Sequence, residues 1–329
     1  MKIFDIAIIG SGAAGAMGSL RAVLNNLDTI TFMGSAKTKK SARATWVGKI
    51  ENMPNLFDKN KGVVQSSSDV FKWINSSELW KNNLSQIKSS ITKVSGEKGS
   101  FELTTDKGEV YYAQNILLGT GIMDMQPEIQ GSISPIFPMA NAGYIEYCIL
   151  CDGHKSKGND TTIIGHDESA GWIATMLFER YENPSMTIVT NGKPTEIKED
   201  SELFKRIKNY NIKIEESPIV EILGNAKEAG LEGFKLEDGT IVKSQKGYVS
   251  LGIIPHNDLA LQIGVKVDNR GFVITDVTGE TNIPGFFVAG DLRGGKKNQI
   301  YTSWDMAVDS VNKIDRYVRD EKRGRILAL

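Results

Sequence analysis

The chain has 329 residues, long for a single domain, and its 40 % hydrophobic and 24 % charged residues are ordinary for a globular protein with proper cores. Its 40 acidic and 39 basic residues leave a net charge of −1, which argues against nucleic acid as a partner. No apolar run reaches the length that crosses a bilayer, and the first ten residues lack the long apolar region and cleavage site of a signal peptide. We therefore expect a cytoplasmic protein of two domains without a membrane partner.

The first elements predict a nucleotide-binding unit. An apolar strand at Ile3–Ile9 leads into the glycine-rich turn Gly10–Gly15, a helix follows to about Leu24, and a second strand covers Thr29–Met33. In such a turn one glycine permits the bend, one lets a diphosphate approach the backbone, and one lets helix and strand pack closely. The N–H groups and dipole at the helix start favour negative charge.

The rest of the chain continues this alternation of strands and helices. Further elements are predicted at Phe101–Thr105, Glu109–Tyr112, Ile116–Gly121, Thr161–Ile164, Glu168–Arg180, Met186–Val189, Val249–Ile254, Gly285–Asp291 and about Thr302–Arg319. In the helix at Glu168–Arg180 we expect Trp172, Ile173, Met176 and Leu177 to share one face. The pattern predicts an α/β protein with two Rossmann-like nucleotide-binding domains, one inserted in the other. Residues 1–122 and 250–329 form the outer domain and 123–249 the inner one, and the end from Arg319 is expected to fray.

The chain has two cysteines, in the sequence Cys148-Ile149-Leu150-Cys151. A secreted disulfide scaffold would spread its cysteines, and a structural zinc site usually needs four ligands, whereas the three histidines are scattered. A lone Cys-x-x-Cys in a chain of this kind favours a redox pair. The alternative is two unreactive thiols that happen to be neighbours.

Several motifs together carry a family resemblance. Gly10–Gly15, Glu51–Pro54, Gly119–Gly121, Cys148–Gly153 and Ile283–Asp291 follow one another in the order and spacing of low-molecular-weight thioredoxin reductases. The chain resembles that family over nearly its full length. The resemblance implies FAD in the outer domain, a homodimer, and a thioredoxin-like protein or a small disulfide or dithiol as substrate. The FAD-binding residues that it implies are Gly10, Ser11, Gly12, Ala13, Ala14, Gly15, Gly34, Asn52, Thr120, Gly121, Gly290, Asp291 (on the ribitol), Asn298, Gln299 and Ile300.

The resemblance also assigns roles around the cysteine pair. Cys151 is the sulfur on the flavin side, Cys148 exchanges with substrate, and Asp152 is the acid/base that manages the proton. Two intervening residues suit a helical turn, whose amino terminus lowers the thiol pKa. For Asp152 a helix-capping carboxylate remains the alternative.

The inner domain departs from NADPH-dependent relatives at two places. The sequence Gly165-His166-Asp167-Glu168-Ser169-Ala170 has Asp167 where Gly-x-Gly-x-x-Ala requires its second glycine, which adds bulk and negative charge at the diphosphate. The residues after the next strand, Thr190–Pro194, lack the arginines that grip a 2′-phosphate. We therefore expect that NADPH is not the reductant, the alternative being NADH or NADPH bound in a variant way.

Three aromatic or planar residues, His154, Tyr301 and Trp304, replace the usual family residues, and the chain resembles the branch that lacks NADPH motifs. That branch includes ferredoxin-dependent flavin thioredoxin reductases and diflavin-linked disulfide oxidoreductases. The three residues either stack a second flavin or are ordinary core or interface residues. The other donor route is ferredoxin docked on basic residues, for which the candidates are Lys37, Lys39, Lys40, Arg43, Arg293, Lys296 and Lys297.

The predicted function is an FAD-dependent disulfide oxidoreductase without a nicotinamide step. Its rivals are a dithiol oxidase that passes electrons to oxygen and an NAD(P)H-dependent thioredoxin reductase. A non-catalytic flavoprotein redox sensor belongs to a different class, and the set of Cys148, Cys151 and Asp152 argues against it, because a sensor does not need the acid/base.

Overall fold

A computed structural model describes residues 2–39, 42–46, 48–59, 61–295 and 297–327, and within them the chain folds as the predicted mixture of strands and helices. The helices are α1 (Ala13–Leu24), α2 (Ala36–Lys39), α3 (Val63–Ser76), α4 (Phe137–Asn141), α5 (Ile149–Asp152), α6 (Glu168–Tyr181), α7 (Glu202–Asn209), α8 (Asp258–Gln262) and α9 (Ile300–Leu327). The strands are β1 (Ile3–Ile9), β2 (Thr29–Phe32), β3 (Leu84–Ile87), β4 (Ile91–Ser95), β5 (Phe101–Thr105), β6 (Val110–Leu118), β7 (Ile122–Asp124), β8 (Ile145–Glu146), β9 (Thr161–Ile164), β10 (Met186–Val189), β11 (Lys213–Glu215), β12 (Ile219–Asn225), β13 (Gly230–Leu236), β14 (Ile241–Lys243), β15 (Lys246–Val249), β16 (Ile253–Pro255) and β17 (Phe286–Val288).

The chain divides into two compact units. The first comprises Met1–Thr45, Lys61–Met123 and Pro255–Leu329, and the second comprises Trp46–Asn60 and Asp124–Ile254. The division differs from the expected boundaries in one large respect, because Trp46–Asn60 belongs to the second unit although sequence order places it in the outer domain.

The first unit is built on a mostly parallel sheet with the strand order β3-β2-β1-β6-β5-β4, to which β17 adds beside β6. Strand β6 was expected as two pieces, yet it runs unbroken, pairing antiparallel with β5 and parallel with β1 and β17. One apolar cluster joins Ile8 and Leu117 of the sheet to Met306 and Val311 of α9. Burying such side chains fully contributes roughly 1.5–3 kcal/mol each, so α9 is tied firmly to the sheet.

The second unit has a parallel sheet of order β11-β10-β9-β15-β8 and an antiparallel sheet of order β12-β13-β14. Alternate residues of β9 and β10 point to opposite faces, as strand geometry requires. Ile163 and Ile188 pack with α6 and α7, whereas Ile164 and Val189 pack with β13. This two-sided burial explains why β9 and β10 are continuously apolar.

The expected apolar face of α6 was wrong at Trp172, which is 47 % exposed. The buried face instead contains Gly171, Ala174 and Leu177. A Cβ on Gly171 would lie 2.9 Å from side-chain carbons of Ile197 and Leu203, so α6 approaches its neighbours most closely at this glycine. Small residues therefore mark the packed face better than large ones do.

Helix α9 continues past Arg319, where fraying was expected, to Leu327. Ion pairs at i,i+4 spacing join Arg319 to Asp315 at 2.9 Å and Arg325 to Glu321 at 3.5 Å, and such pairs support an exposed helix. In the described part of the chain no helix combines the length and the apolar character needed to span a membrane.

Candidate functional site

The glycine-rich turn of the first unit is a close-packed loop. A Cβ on Gly15 would lie 2.0 Å from the carbonyl oxygen of Gly10, and one on Gly10 would lie 2.4 Å from that of Gly119. Gly10 also has a φ of +111°, which side chains rarely adopt. These two positions therefore require glycine for the fold itself.

Gly12 is different, because a Cβ built there meets nothing within 4 Å. It is the N-cap residue of α1, and without a side chain it leaves that helix start uncapped; the first turn also has no acidic residue. Open space before an uncapped helix start is what a diphosphate needs. The residues of the first unit fit FAD at this point.

Other predicted flavin-binding residues of the first unit support the loops around this turn. Ser11 Oγ donates to the carbonyl oxygen of Met33 at 3.2 Å, and Gly34 follows with a φ of +77°. Thr120 Oγ1 donates to the carbonyl oxygen of His256 at 2.7 Å, while the His256 N–H donates to that of Gly121 at 3.0 Å. The segments after β6 and β16 are thus joined beside the turn.

The predicted ribitol ligand Asp291 lies after β17. Its carboxylate is 3.9 Å from Arg43 Nη1, and both side chains are largely buried. Gly290, with a φ of +85°, approaches Ala14 of the turn so closely that its Cβ would lie 3.0 Å from the alanine Cβ. The structure therefore brings Gly290 against the glycine-rich turn, as the FAD assignment requires.

The residues expected along the flavin edge lie at the start of α9. Gln299 is buried and its carbonyl oxygen accepts the Ser303 N–H at 2.9 Å, so the loop Asn298–Ile300 is anchored to the helix. Tyr301 is 46 % exposed and Trp304 is half-buried, whereas Asn52 belongs to the second unit and is half-buried.

Cys148 and Cys151 form a disulfide in the second unit. Cys148 is the N-cap residue of the one-turn helix α5, and its Sγ accepts the Cys151 N–H at 3.2 Å. Leu150 between them is 67 % exposed, which leaves the turn open to a partner. The expected helical placement of the pair is therefore present, in the oxidised state.

Asp152 precedes the 3-10 turn Gly153–Ser156 but its side chain makes no capping hydrogen bond there; it joins a buried ion-pair network instead. Its Oδ1 lies 2.9 Å from Lys155 Nζ, and the same ammonium lies 2.7 Å from Glu146 Oε1 and 3.2 Å from Glu51 Oε2. The Lys155 side chain is 17 % exposed; those of Glu146 and Asp152 are more deeply buried and that of Glu51 slightly less so. Sequence reasoning missed Glu146 and Lys155, because single charged residues beside a motif are ordinarily surface residues.

The network shifts the pKa of its members. Burial and the charge of Asp152 raise the pKa of Glu146 to about 7, against the opposing effect of Lys155. Burial lowers the pKa of Lys155, but the charges of Glu146 and Asp152 outweigh it and the net pKa is raised. Burial lowers the pKa of Lys246.

A cavity of about 470 Å³ borders this network and is lined by Trp46, Gly48, Lys49, Glu51, Ala140, Asn141, Ala142, Gly143, Glu146, Lys155 and Lys246.

His154, the second-flavin candidate of this unit, is 49 % exposed, and its Nε2 lies 3.8 Å from Glu51 Oε2. It therefore stands at the edge of the same network.

The strand–turn–helix unit formed by β9 and α6 keeps the first glycine of the Gly-x-Gly-x-x-Ala motif, Gly165. At the position of the second glycine it has Asp167. A Cβ on Gly165 would lie 2.4 Å from the carbonyl oxygen of Ser250, so this glycine is structurally required. Asp167 is the N-cap residue of α6, and its carboxylate accepts the Ala170 N–H at 3.1 Å. Glu168 adds a second carboxylate in the first turn. A protein carboxylate thus occupies the helix start where a diphosphate would bind.

The loop after β10 is also acidic. Glu196 Oε1 lies 3.7 Å from His166 Nε2, and Glu216 Oε1 accepts the Thr195 N–H at 2.8 Å. Thr190 Oγ1 donates to the carbonyl oxygen of Lys193, which closes the turn on itself. Two carboxylates therefore contact this loop, and it lacks the arginines that grip a 2′-phosphate.

The proposed ferredoxin surface needs correction at Arg293, which is only 4 % exposed. Its guanidinium donates to the carbonyl oxygens of Asp276 at 2.6 Å and Val277 at 3.0 Å, so it holds a loop and offers no surface charge. Lys40 and Lys296 lie outside the described residues, as do the side chains of Lys37 and Lys39. Lys297 is exposed, while Arg43 faces Asp291.

Comparisons with known proteins agree with this geometry. A family model described as pyridine nucleotide-disulphide oxidoreductase matches residues 4–310. The chain is 26 % identical to a thioredoxin reductase of Listeria monocytogenes, over 98 % of this chain and 96 % of that protein. It is 25 % identical to a 34.2 kDa protein in the rubredoxin operon of Clostridium pasteurianum, over 96 % and 98 %. The crystal structure of thioredoxin reductase from Streptococcus pyogenes superposes with a TM-score of 0.80 at 21 % identity, covering 97 % of this chain and 99 % of that one, which shows the shared fold.

Proposed function

We propose that this chain, which belongs to the pyridine nucleotide-disulphide oxidoreductase family and is a flavin-dependent disulfide oxidoreductase of the thioredoxin-reductase type, differs from its nicotinamide-dependent relatives in working without a nicotinamide donor. In this proposal one FAD binds in the first unit, and electrons pass between it and a disulfide substrate through Cys148 and Cys151. In this proposal the chain belongs to the branch of the family that lacks NADPH motifs.

The observation that carries the proposal is the contrast between the two nucleotide-type helix starts. At α1 the N-cap residue is Gly12, with open space in front of it. At α6 the N-cap residue is Asp167, whose carboxylate already accepts a helix N–H. A dinucleotide diphosphate at α6 would have to displace that carboxylate and would meet the negative charge of Glu168 in the same turn and that of Glu196, whose carboxylate lies 3.7 Å from His166. Such a site opposes NADPH strongly.

Within this scheme bound FAD supplies a two-electron acceptor and donor. The protein's residues do the remaining work. Cys148 is the sulfur that exchanges with substrate, and Cys151 is the sulfur that faces the flavin. Asp152, held by Lys155, takes or returns the proton as the dithiol forms and closes. The substrate is a thioredoxin-like protein or a small disulfide or dithiol, and the exposed Leu150 is available to contact it.

For the donor that replaces NADPH we propose a second flavin in preference to a ferredoxin. The burial of Arg293 weakens the basic surface that an acidic carrier would need. Exposed planar side chains support flavin stacking: Tyr301 on α9 in the first unit, and His154 after α5 in the second.

The proposed function is tested by anaerobic reduction of the purified holoprotein with a dithiol, followed by measured reduction of an added disulfide protein. We expect the dithiol to bleach the flavin and the protein then to reduce the added disulfide protein. Both cysteines should be required for this turnover. Rapid re-oxidation of the reduced flavin by air would instead identify an oxygen-using dithiol oxidase. A flavin that no dithiol or disulfide affects would leave only a redox-silent flavoprotein.

A further inference from the structure

Glu146 is a buried carboxylate that the chemistry described so far does not use. It lies on β8, two residues before Cys148, and only 11 % of its side chain is exposed. Its Oε1 shares the Lys155 ammonium with Asp152, the two contacts being 2.7 and 2.9 Å. One cation therefore joins Glu146 to the residue that follows Cys151.

Charged and titratable groups face Glu146 from each element packed against it. They are Asp152 of α5, Lys155 of the turn after it, Lys246 and Tyr248 of β15, and Tyr147 beside it, while Glu51 shares the Lys155 ammonium. The charge of Lys246 also acts on Glu146 but less than that of Lys155, and its Nζ donates to the carbonyl oxygen of Gly143 at 2.7 Å. Glu146 and Asp152 thus depend mainly on one ammonium for two negative charges.

Two carboxylates that share one buried cation favour the state in which one of them is protonated. The group that gains the proton is Glu146, because burial and the charge of Asp152 raise its pKa to about 7. Glu146 and Lys155 also line the cavity of about 470 Å³, whereas Asp152 is not among its lining residues. The exchangeable proton therefore lies on the side of the network that reaches the cavity.

We propose that Glu146 is a positioning residue for the Cys148–Cys151 couple, taking up a proton from the cavity side when the disulfide opens and releasing it when the disulfide closes. Lys155 transmits its charge state to Asp152. This inference rests on the function proposed above, since it assumes that the disulfide turns over.

The step balances when a dithiol is the reductant. Two electrons from the dithiol break the Cys148–Cys151 bond, and the donor closes to its own disulfide. Of its two protons, one remains on a cysteine thiol and leaves the second cysteine as thiolate; the other is moved at the sulfur by Asp152 and released to solvent, while Glu146 takes up one proton from the cavity, so that the proton count is unchanged. The new negative charge beside Asp152 favours the neutral form of Glu146, so uptake accompanies reduction.

The test is the equilibrium of the holoprotein's disulfide with dithiothreitol, quenched by thiol alkylation and repeated across neutral and alkaline pH for the wild type and Glu146→Gln. The variant keeps a polar group of the same shape but cannot titrate. For each protein the equilibrium constant for reduction of the disulfide by dithiothreitol is obtained at each pH. Above about pH 7 we expect the wild-type constant, divided by that of the variant, to fall by up to roughly tenfold per pH unit. A ratio that stays flat with pH would overturn the inference.

Two further variants separate titration from structure. Glu146→Asp keeps a titrating carboxylate and should preserve the wild-type profile, and so should Glu228→Gln, which alters an exposed glutamate of the same unit. If neither wild type nor variant exchanges with the dithiol, the proposed function itself fails. If both exchange with identical pH profiles, only the role of Glu146 fails.

A measurement on the wild type covers the case in which Glu146→Gln does not fold. Infrared difference spectra of protein labelled with carbon-13 in glutamate should show a glutamic-acid carbonyl band that grows on reduction at about pH 8. Asp152 is unlabelled and cannot contribute to it, and the labelled Glu51 stays ionised because, although burial opposes it, Lys49 and Lys155 hold its pKa below the usual value. A spectrum without that band would reject the proposal.

Discussion

The carboxylate of Asp167 accepts the backbone N–H of Ala170 at 3.1 Å, and this bond fills the helix start that a nicotinamide dinucleotide would use. The capping bond is worth about 1 kcal/mol to α6, so Asp167 stabilises the fold; in the proposed function it also excludes a phosphate from this helix start. Gly12 has no such role at α1, where the corresponding space stays open. The two units thus share a strand–turn–helix topology and differ in the side chain at the helix start.

We predict that NADPH and NADH reduce the bound flavin slowly. The holoprotein is mixed anaerobically with nicotinamide nucleotide at about millimolar concentration, and flavin absorbance is followed; rates well below about 1 per second are expected. Dithionite provides the control that the flavin is reducible. Bleaching at enzyme-like rates would restore an ordinary NADPH-dependent thioredoxin reductase.

A second prediction concerns Gly12→Val, which should remove FAD and spare the fold. The Gly12 φ of −73° suits any residue and its Cβ direction is empty, so the side chain meets no protein atom and projects into the diphosphate space. The variant should purify colourless, with a free energy of unfolding within about 1 kcal/mol of the wild-type apoprotein. The matched control is Gly324→Ala, also at an open glycine, which should stay yellow. A Gly12→Val protein with a full complement of FAD would place the cofactor elsewhere.

The sequence predicted the parts of this site whose chemistry depends on backbone shape or on adjacent residues. At Gly10, Gly15 and Gly165 an added Cβ would lie 2.0–2.4 Å from a backbone carbonyl oxygen, so the fold requires glycine there. Required glycines at fixed spacing can be recognised in the sequence as a motif. The unbroken course of β6 was not predicted, because its antiparallel and parallel pairings depend on distant partners. Glu146 and Lys155 escaped notice for the same reason, as did the role of Glu51 beside them, since nothing local shows that carboxylates 95 positions apart share one ammonium.

The third prediction separates the roles of the two cysteines. Cys148→Ser should leave the Cys151 sulfur as a thiolate beside the oxidised flavin, giving a long-wavelength charge-transfer band in the absorption spectrum. Cys151→Ser should give no such band, because Cys148 is the exchanging sulfur. Both variants should lose disulfide turnover. Retained turnover in each single variant would show that the pair is not the redox centre.

Lys155→Met should destabilise the protein in a pH-dependent manner. Removing the shared ammonium leaves Glu51, Glu146 and Asp152 without their common partner, which costs about 3 kcal/mol at about pH 8. The pKa of Glu146 is already raised to about 7 in the folded protein, and it rises further without Lys155. A raised carboxyl pKa means that the folded state binds more protons than the unfolded state, so the penalty grows as pH rises and shrinks towards about pH 5.

Urea unfolding of Lys155→Met at both pH values measures this effect. Lys157→Met is the control, since that lysine is exposed two residues away and should change stability by less than about 0.5 kcal/mol. An equal loss at both pH values would show that Lys155 acts by packing its aliphatic stem and not by its charge.

The last prediction addresses the electron donor. A stacked second flavin should appear as two equivalents of flavin per chain when the protein is denatured after soaking with excess FAD, and should persist in high salt, because stacking is not screened as charge pairing is. Tyr301→Ala should lower the count towards one, since this exposed side chain offers the planar surface. Tyr112→Ala is the control: Tyr112 lies on β6 and donates to Glu102 Oε2 at 3.2 Å, away from the start of α9 along the chain. A count of one equivalent that soaking does not raise, together with salt-sensitive reduction by a ferredoxin, would reject the second flavin and assign the donor role to an acidic carrier docked near Lys297.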